Sequence, residues 1–168
     1  MSTVGKFRNE DLSVFFFVKM LTINGKPLYQ VVNKVVDGYP FTDIESSTLQ
    51  VPCVAIEHVY TADGAGEMGS SWFRRSWEVT IFAETDTQRD DLSDRIFQAL
   101  DGVIPVRDYS GGFNRDTGKS LIGTDLRIIE NILPEDRMMR PTYSFSLFQK
   151  ITYWRTTITF DTVSTQAG

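Results

Sequence analysis

Glycine, lysine and a hydroxyl stand together in Gly111-Gly112-Phe113-Asn114-Arg115-Asp116-Thr117-Gly118-Lys119-Ser120, the residue types of a phosphate-binding loop. Such a loop needs Gly, four residues, then Gly-Lys-Ser/Thr. Its backbone N–H groups then wrap the phosphates, and a following helix aims its N-terminus at the anion. Here Phe113 occupies the position of the first glycine, Gly112 falls one residue too early, and the next stretch, SLIGTDLRIIENIL, reads as strand. The spacing therefore predicts a glycine-rich turn between strands. His58 is the only histidine and Cys53 the only cysteine, so a histidine-based metal site is excluded by number and only an all-oxygen one is conceivable. Neither residue lies in a nucleophile motif. His58 shares an apolar strand face with Val54, Ile56 and Tyr60, which predicts a hydrogen-bonded structural imidazole, and Cys53 reads as a small core residue.

Two charged groups remain. Glu84, Asp86, Asp90, Asp91 and Asp94 are the densest acids, and Asp90 and Asp94 stand one helical turn apart, as a paired-carboxylate enzyme would place them. Arg89 and Arg95 interleave with them, which predicts a solvated helix face with its acids near the positive helix end. Arg74-Arg75, beside Trp72 and Trp77, offers a partner contact or an ordinary strand edge. The chain carries 17 Lys+Arg against 22 Asp+Glu, a net charge of −5, and so lacks the positive footprint of a general nucleic-acid binder. These residues predict no catalytic group, no cofactor and no metal.

The clearest element expected to position them is a helix over 86–101. Thr85 and Gln88 form a capping box before it, and Leu92, Ile96, Ala99, Leu100 and Val103 recur along one stripe up to Gly102. Before it, FRRSWEVTIFAE alternates. Phe73, Trp77, Val79, Ile81 and Ala83 face one way, Arg74, Ser76, Glu78, Thr80 and Glu84 the other, and Phe82 breaks the pattern. VPCVAIEHVYT, 51–61, is apolar on both faces and reads as an interior strand, joined to the next by a glycine-rich loop, 61–71. VIPVRDY is a short strand, and Ile122, Leu126, Ile128 and Ile132 share one face of a later one. PEDRMMRP, 134–141, reads as a connection bounded by two prolines. From Thr142 to about Asp161 the apolar phase switches from odd to even, which predicts a bulge, bend or break near Tyr153-Trp154. Upstream, NEDLSVFFFVKMLTI is expected to be a helix ending near Ile23, and PLYQVVNKVVD fits helix or strand. Residues 1–9 read as a polar arm and 162–168 as a frayed tail. The sum is a single α+β domain, 1–168. Its sheet is largely antiparallel, with one amphipathic helix on one face and an N-terminal helix before it.

No apolar run nears the ~20 residues a membrane span requires, and a lone cysteine suits a reducing compartment, so a soluble cytoplasmic product with no membrane partner is expected.

PCVAIEHVYTADGAGEMGSSWFRRSWEVTIFAETDTQRDDLSDRIFQALDGVIPVRDY, Pro52 to Tyr109, resembles the small neck and tail-completion proteins of tailed bacteriophages, especially the tail terminators. The shared order is a Pro-led apolar strand, a long Gly-rich loop, an alternating strand ending in FAET, a helix and a short IPVRDY strand. The resemblance implies a structural virion protein of the neck, assembled in the host cytoplasm. It would form a homo-oligomeric ring, usually hexameric, that caps the tail tube protein and meets the head connector or stopper, while DNA passes through unbound. Another connector role (stopper, head-completion protein, baseplate adaptor) and a small nucleotide- or ligand-binding domain are the alternatives. A closed ring needs two different complementary patches per subunit. The expected contact residues are Gly64, Gly66, Glu67, Met68 and Trp72 of the loop with Arg74 and Arg75, complemented by Asp90 and Asp94 on the helix. Loops 61–71, 109–120 and 134–141 are expected to order on contact with neighbours.

Overall fold

A computed structural model of the chain describes residues 6–46, 48–64, 72–146 and 151–164. In chain order these form α1 (Lys6–Lys19), β1 (Thr22–Ile23), β2 (Lys26–Pro27), α2 (Leu28–Val31), β3 (Lys34–Asp37), α3 (Phe41–Glu45), β4 (Cys53–Gly64), β5 (Trp72–Ala83), α4 (Asp86–Ala99), β6 (Ile104–Arg107), β7 (Ile128–Ser146) and β8 (Ile151–Ser164). Six strands make one sheet in the order β3-β4-β5-β8-β7-β6, and β1-β2 is a separate small ribbon. Only the β3–β4 pair is parallel. The fold is α+β, as the spacing of strands and helices predicts.

One face of the sheet carries the main core. Val54 and Ile56 of β4, Trp77, Val79 and Ile81 of β5, and Ile158 and Phe160 of β8 pack with Val14 and Val18 of α1 and with Leu92 and Ile96 of α4. Leu92, Ile96 and Leu100 of the expected stripe are thus buried, while the helix ends at Ala99 rather than at 101 and Val103, beyond it, is 46% exposed. At its start the Thr85 hydroxyl accepts from the Gln88 amide (3.1 Å), and the Gln88 side chain accepts from the Glu84 amide (2.9 Å), one residue before the cap. Among the described residues the opposite face is covered only near the start of β4, where Leu49, Cys53, Ala55, Phe82 and Tyr153 form a second, smaller core. Phe82 breaks the alternation of β5 because it belongs to this second core. Tyr153 does the same in β8, which keeps regular register with β5. The phase switch therefore needs no bulge at Tyr153-Trp154. It reflects two strands, β7 and β8, paired from Ser146↔Ile151 onward, with apolar residues serving opposite faces.

Other expectations are corrected. Helix α1 begins at Lys6, inside the segment expected to be a polar arm, and ends at Lys19 rather than near Ile23. The 27–37 stretch divides between α2 and β3. Strand β4 runs on to Gly64 and β8 to Ser164, into the expected loop and the expected frayed tail. Residues 134–141 are no connection. They lie within β7, with a register shift between Glu135 and Met138. Beyond Ile132 the outer side of β7 has no partner strand among the described residues, so Pro134 and Pro141 can turn their nitrogens outward without breaking the pairing to β8. The strand expected to include Ile122 and Leu126 starts only at Ile128, and Ile122 is 82% exposed.

Helix α1 also seals the outer edge of β6. Ser13 Oγ accepts from the Arg107 amide (2.9 Å) and Asn9 Oδ1 from the Tyr109 amide (3.1 Å), so two side chains one turn apart supply what a further strand would. Both are buried, as unpaired backbone donors at that edge would not tolerate.

Candidate functional site

Strand β5 is interior, flanked by β4 and β8, so Arg74 and Arg75 do not lie on a strand edge, and alternation sends them to opposite faces. Arg74 points to the largely uncovered face. Its Nη1 donates to Asp161 and Asp136, both at 2.9 Å, and its Nη2 to Glu135 at 3.2 Å. Arg75 points into the main core and is 3% exposed. Its Nη1 donates to Glu10 (3.1 Å), its Nη2 to Asp11 (2.6 Å) and its Nε to the Thr61 hydroxyl (3.3 Å), while the guanidinium lies 4.8 Å from the Trp77 ring centre and 4.9 Å from that of Phe7. A buried guanidinium needs this degree of pairing, because removing it from water costs several kcal/mol, on the order of what its partners return.

Glu10 also hydrogen-bonds Glu130 of β7. Desolvation, then the bond to Glu130, pushes the Glu10 carboxyl up to about 7 against the opposing pull of Arg75. The Glu10–Glu130 hydrogen bond lies in the core, with both side chains buried. His58 extends the network outward. Its Nε2 is 2.9 Å from the Thr61 hydroxyl, and burial, then repulsion from Arg75, holds its pKa below the usual imidazole range. The predicted hydrogen-bonded structural imidazole is what the geometry gives. Cys53 is fully buried, and burial pushes its thiol up to about 11, so it is a core residue and no nucleophile.

The remaining expected contact residues are dispersed. Gly64 ends β4, paired with Trp72 at the start of β5, while Gly66, Glu67 and Met68 lie outside the described residues. Asp90 and Asp94 are exposed on α4, where Asp90 accepts from its neighbour Arg89 (2.9 Å) and Asp94 from Gln98 (3.1 Å). The structure does not join them to Arg74 or Arg75, both already neutralised by other acids of the same chain. Among the described residues no group of three or more His, Cys, Asp or Glu is placed to hold a metal ion.

The glycine-rich loop is a tight hairpin. Asn114 N donates to Lys119 O and Gly118 N to Asn114 O, both at 2.7 Å, and Phe113 bridges Ser120. Gly118, at φ +72°, presses on Phe16, and a Cβ there would stand 2.5 Å from the ring. Its glycine serves packing against α1, and no helix follows Ser120 to face an anion. Beside the hairpin a cleft of about 400 Å³ runs between α1 and β6, lined by Phe17, Met20, Arg107, Lys119 and Asp125 among others. A second cleft, about 410 Å³, lies on the uncovered sheet face between Tyr39, Glu78, Arg140 and Arg155. Arg155 is pinned there by the Tyr39 hydroxyl (2.8 Å) and Thr142 (3.0 Å).

Sequence reading missed Glu10 and Glu130. A signal existed for their partner: Arg75 has the same parity as Trp77, Val79 and Ile81, so a charge stood in the buried register and demanded an acid. No family model matches the chain, and no curated protein matches it in sequence.

Proposed function

We propose that this protein is a structural component of the neck of a tailed bacteriophage. In this reading its copies form a ring, six subunits in the usual arrangement, that ends the tail tube and presents a surface to the head connector or stopper. The observation that carries it is the order of elements in the segment that bears the resemblance. Pro52–Tyr109 folds as a strand hairpin, a capped helix and a short strand, β4-β5-α4-β6, in the order of the tail terminators it resembles. Two further features favour the reading. The acids of α4 stay on its solvent face, and a chain of net charge −5 repels DNA moving through a channel rather than gripping it. The mass of the purified protein by light scattering, with class averages from electron microscopy, tests it directly. Particles with rotational symmetry, alone or on tail tubes, are expected. A chain that stays a monomer or dimer in both settings defeats the proposal.

A small-ligand domain is the second reading, favoured by the cleft that Lys119 and Arg107 share with Phe17 and Met20. Nucleotide binding that disappears in Lys119→Ala would support it against the ring.

A further inference from the structure

We infer that copies of this chain join head to tail by strand addition, the outer edge of β4 in one copy pairing with the outer edge of β7 in the next. This deepens the ring reading and rests on it.

The backbone supplies the first argument. β3 covers β4 only from Cys53 to Ile56, so from Glu57 to Gly64 no strand of the described residues pairs on the outer side. β6 covers β7 only from Ile128 to Ile132, leaving Leu133 to Ser146 open in the same way. Rows of unpaired N–H and C=O groups on a sheet edge are templates for another strand. Between these edges lie β5 and β8, each antiparallel to its neighbours, so β4 and β7 run in opposite directions. A second copy placed beside the first, with the same face up, therefore meets it with antiparallel strands. Pro134 and Pro141 offer carbonyls without donors, which limits the registers available.

Side-chain charge supplies the second. The register places Glu57 and Glu78 opposite each other on the uncovered face, next to Thr159 and Met138, and Arg140 on that same face at the β7 edge. Glu57, Glu78 and Arg140 have no ion pair or side-chain hydrogen bond among the described residues. One edge thus carries an uncompensated acid and the other an uncompensated base. Pairing β4 with a second β4 would set Glu57 near its own kind, and pairing β7 with β7 would do so for Arg140. Like charges opposed across strands destabilise, and unlike charges stabilise. The head-to-tail junction alone brings acid to base. Val59 and Tyr60 at the first edge and Met138 at the second, 47%, 54% and 57% exposed, supply apolar surface beside them. A contact between two different edges repeats from copy to copy and closes once the sheet's twist brings the last back to the first.

The test is a charge exchange read by native mass spectrometry and light scattering across a concentration series. Glu57→Arg and Arg140→Glu should each weaken association of the full chain about tenfold or more, and the double variant should recover most of it. Circular dichroism melts check that each variant folds. Neither side chain has a partner among the described residues, so unchanged melts are expected, and if one reversal unfolds the chain the other still reads the junction. Wild-type assembly that survives both reversals, or a double variant no better than the singles, overturns the strand-addition junction and leaves the ring intact. A wild-type chain that never assembles, alone or on tail tubes, overturns both.

Discussion

Replacing Glu10 with Gln should remove a pH-dependent loss of stability. In the folded chain the Glu10 carboxyl titrates at about 7, against an ordinary 4.5, because burial and the shared hydrogen bond with Glu130 favour its neutral form more than Arg75 favours the charged one. A carboxyl raised on folding binds its proton more tightly in the native state. Its contribution is therefore full below pH 4.5, falls as pH rises towards 7, and stays lost above. The gap between 4.5 and about 7, at ~1.4 kcal/mol per pH unit, sets a ceiling of about 3 kcal/mol. Asp11, the other acid on Arg75, is partly exposed, so solvent screens some of the network and about 1–2 kcal/mol is expected. Gln keeps the shape and hydrogen bonding of the protonated acid without the proton. Urea denaturation at intervals from pH 4.5 to 8 should show the wild type and Glu10→Gln nearly equal at the acid end and the variant more stable by that amount at pH 8. Taking the difference between the two proteins matters, because His58 acts in the opposite sense. Its lowered pKa makes the native state gain stability as pH rises towards 6.5. A difference that is constant over the range, or a variant less stable at pH 8, would refute the raised Glu10 carboxyl.

Three other outcomes follow from packing and burial. Gly118→Ala should lower the melting temperature more than Gly123→Ala. Both have positive φ, but only at Gly118 does the new Cβ meet the Phe16 ring, which adds about 1–3 kcal/mol of overpacking to a strain of about 1 kcal/mol; equal losses would show that the loop simply moves away. Thr156→Val should stabilise the chain by about 1 kcal/mol in urea titrations, since the Thr156 hydroxyl is fully buried without a partner among the described residues, and a loss would reveal an ordered water at that position. Cys53 should resist thiol reagents at pH 8 in the native protein and react fast in denaturant, whereas rapid native labelling would mean that the second core opens readily.

What the sequence reveals depends on whether a local rule or a distant partner decides the structure. Helix α4 is legible because its cap, stripe and terminating glycine lie within one stretch, and β5 because alternation is local. The places where reading fails are those where a remote element changes the local answer. Three phenylalanines in a row favour a strand, so the expected helix near the N-terminus rests on its acidic start alone; what fixes the bounds of α1 is remote, because Asn9 and Ser13 complete the edge of β6 and Glu10 compensates Arg75, contacts no window of the sequence contains. Pro134 and Pro141 look like punctuation, and they are tolerated inside β7 because the neighbouring strand stops at Ile132.

The candidate site is harder still, for a physical reason. Arg74 and Arg75 are conspicuous because they are adjacent and flanked by tryptophans, but a conspicuous charge in an interior strand is the one the fold itself must neutralise, and here six bonds to five acids and one hydroxyl do so. A charge free to recognise another molecule is one the chain has left without a partner. Sequence alone cannot name such a residue, because being unpartnered depends on the order of strands across the sheet. Glu57 and Arg140 are unremarkable in the chain. They become informative only once β4 and β7 are seen as the two open borders of the same four-strand block, facing the same way with opposite charge.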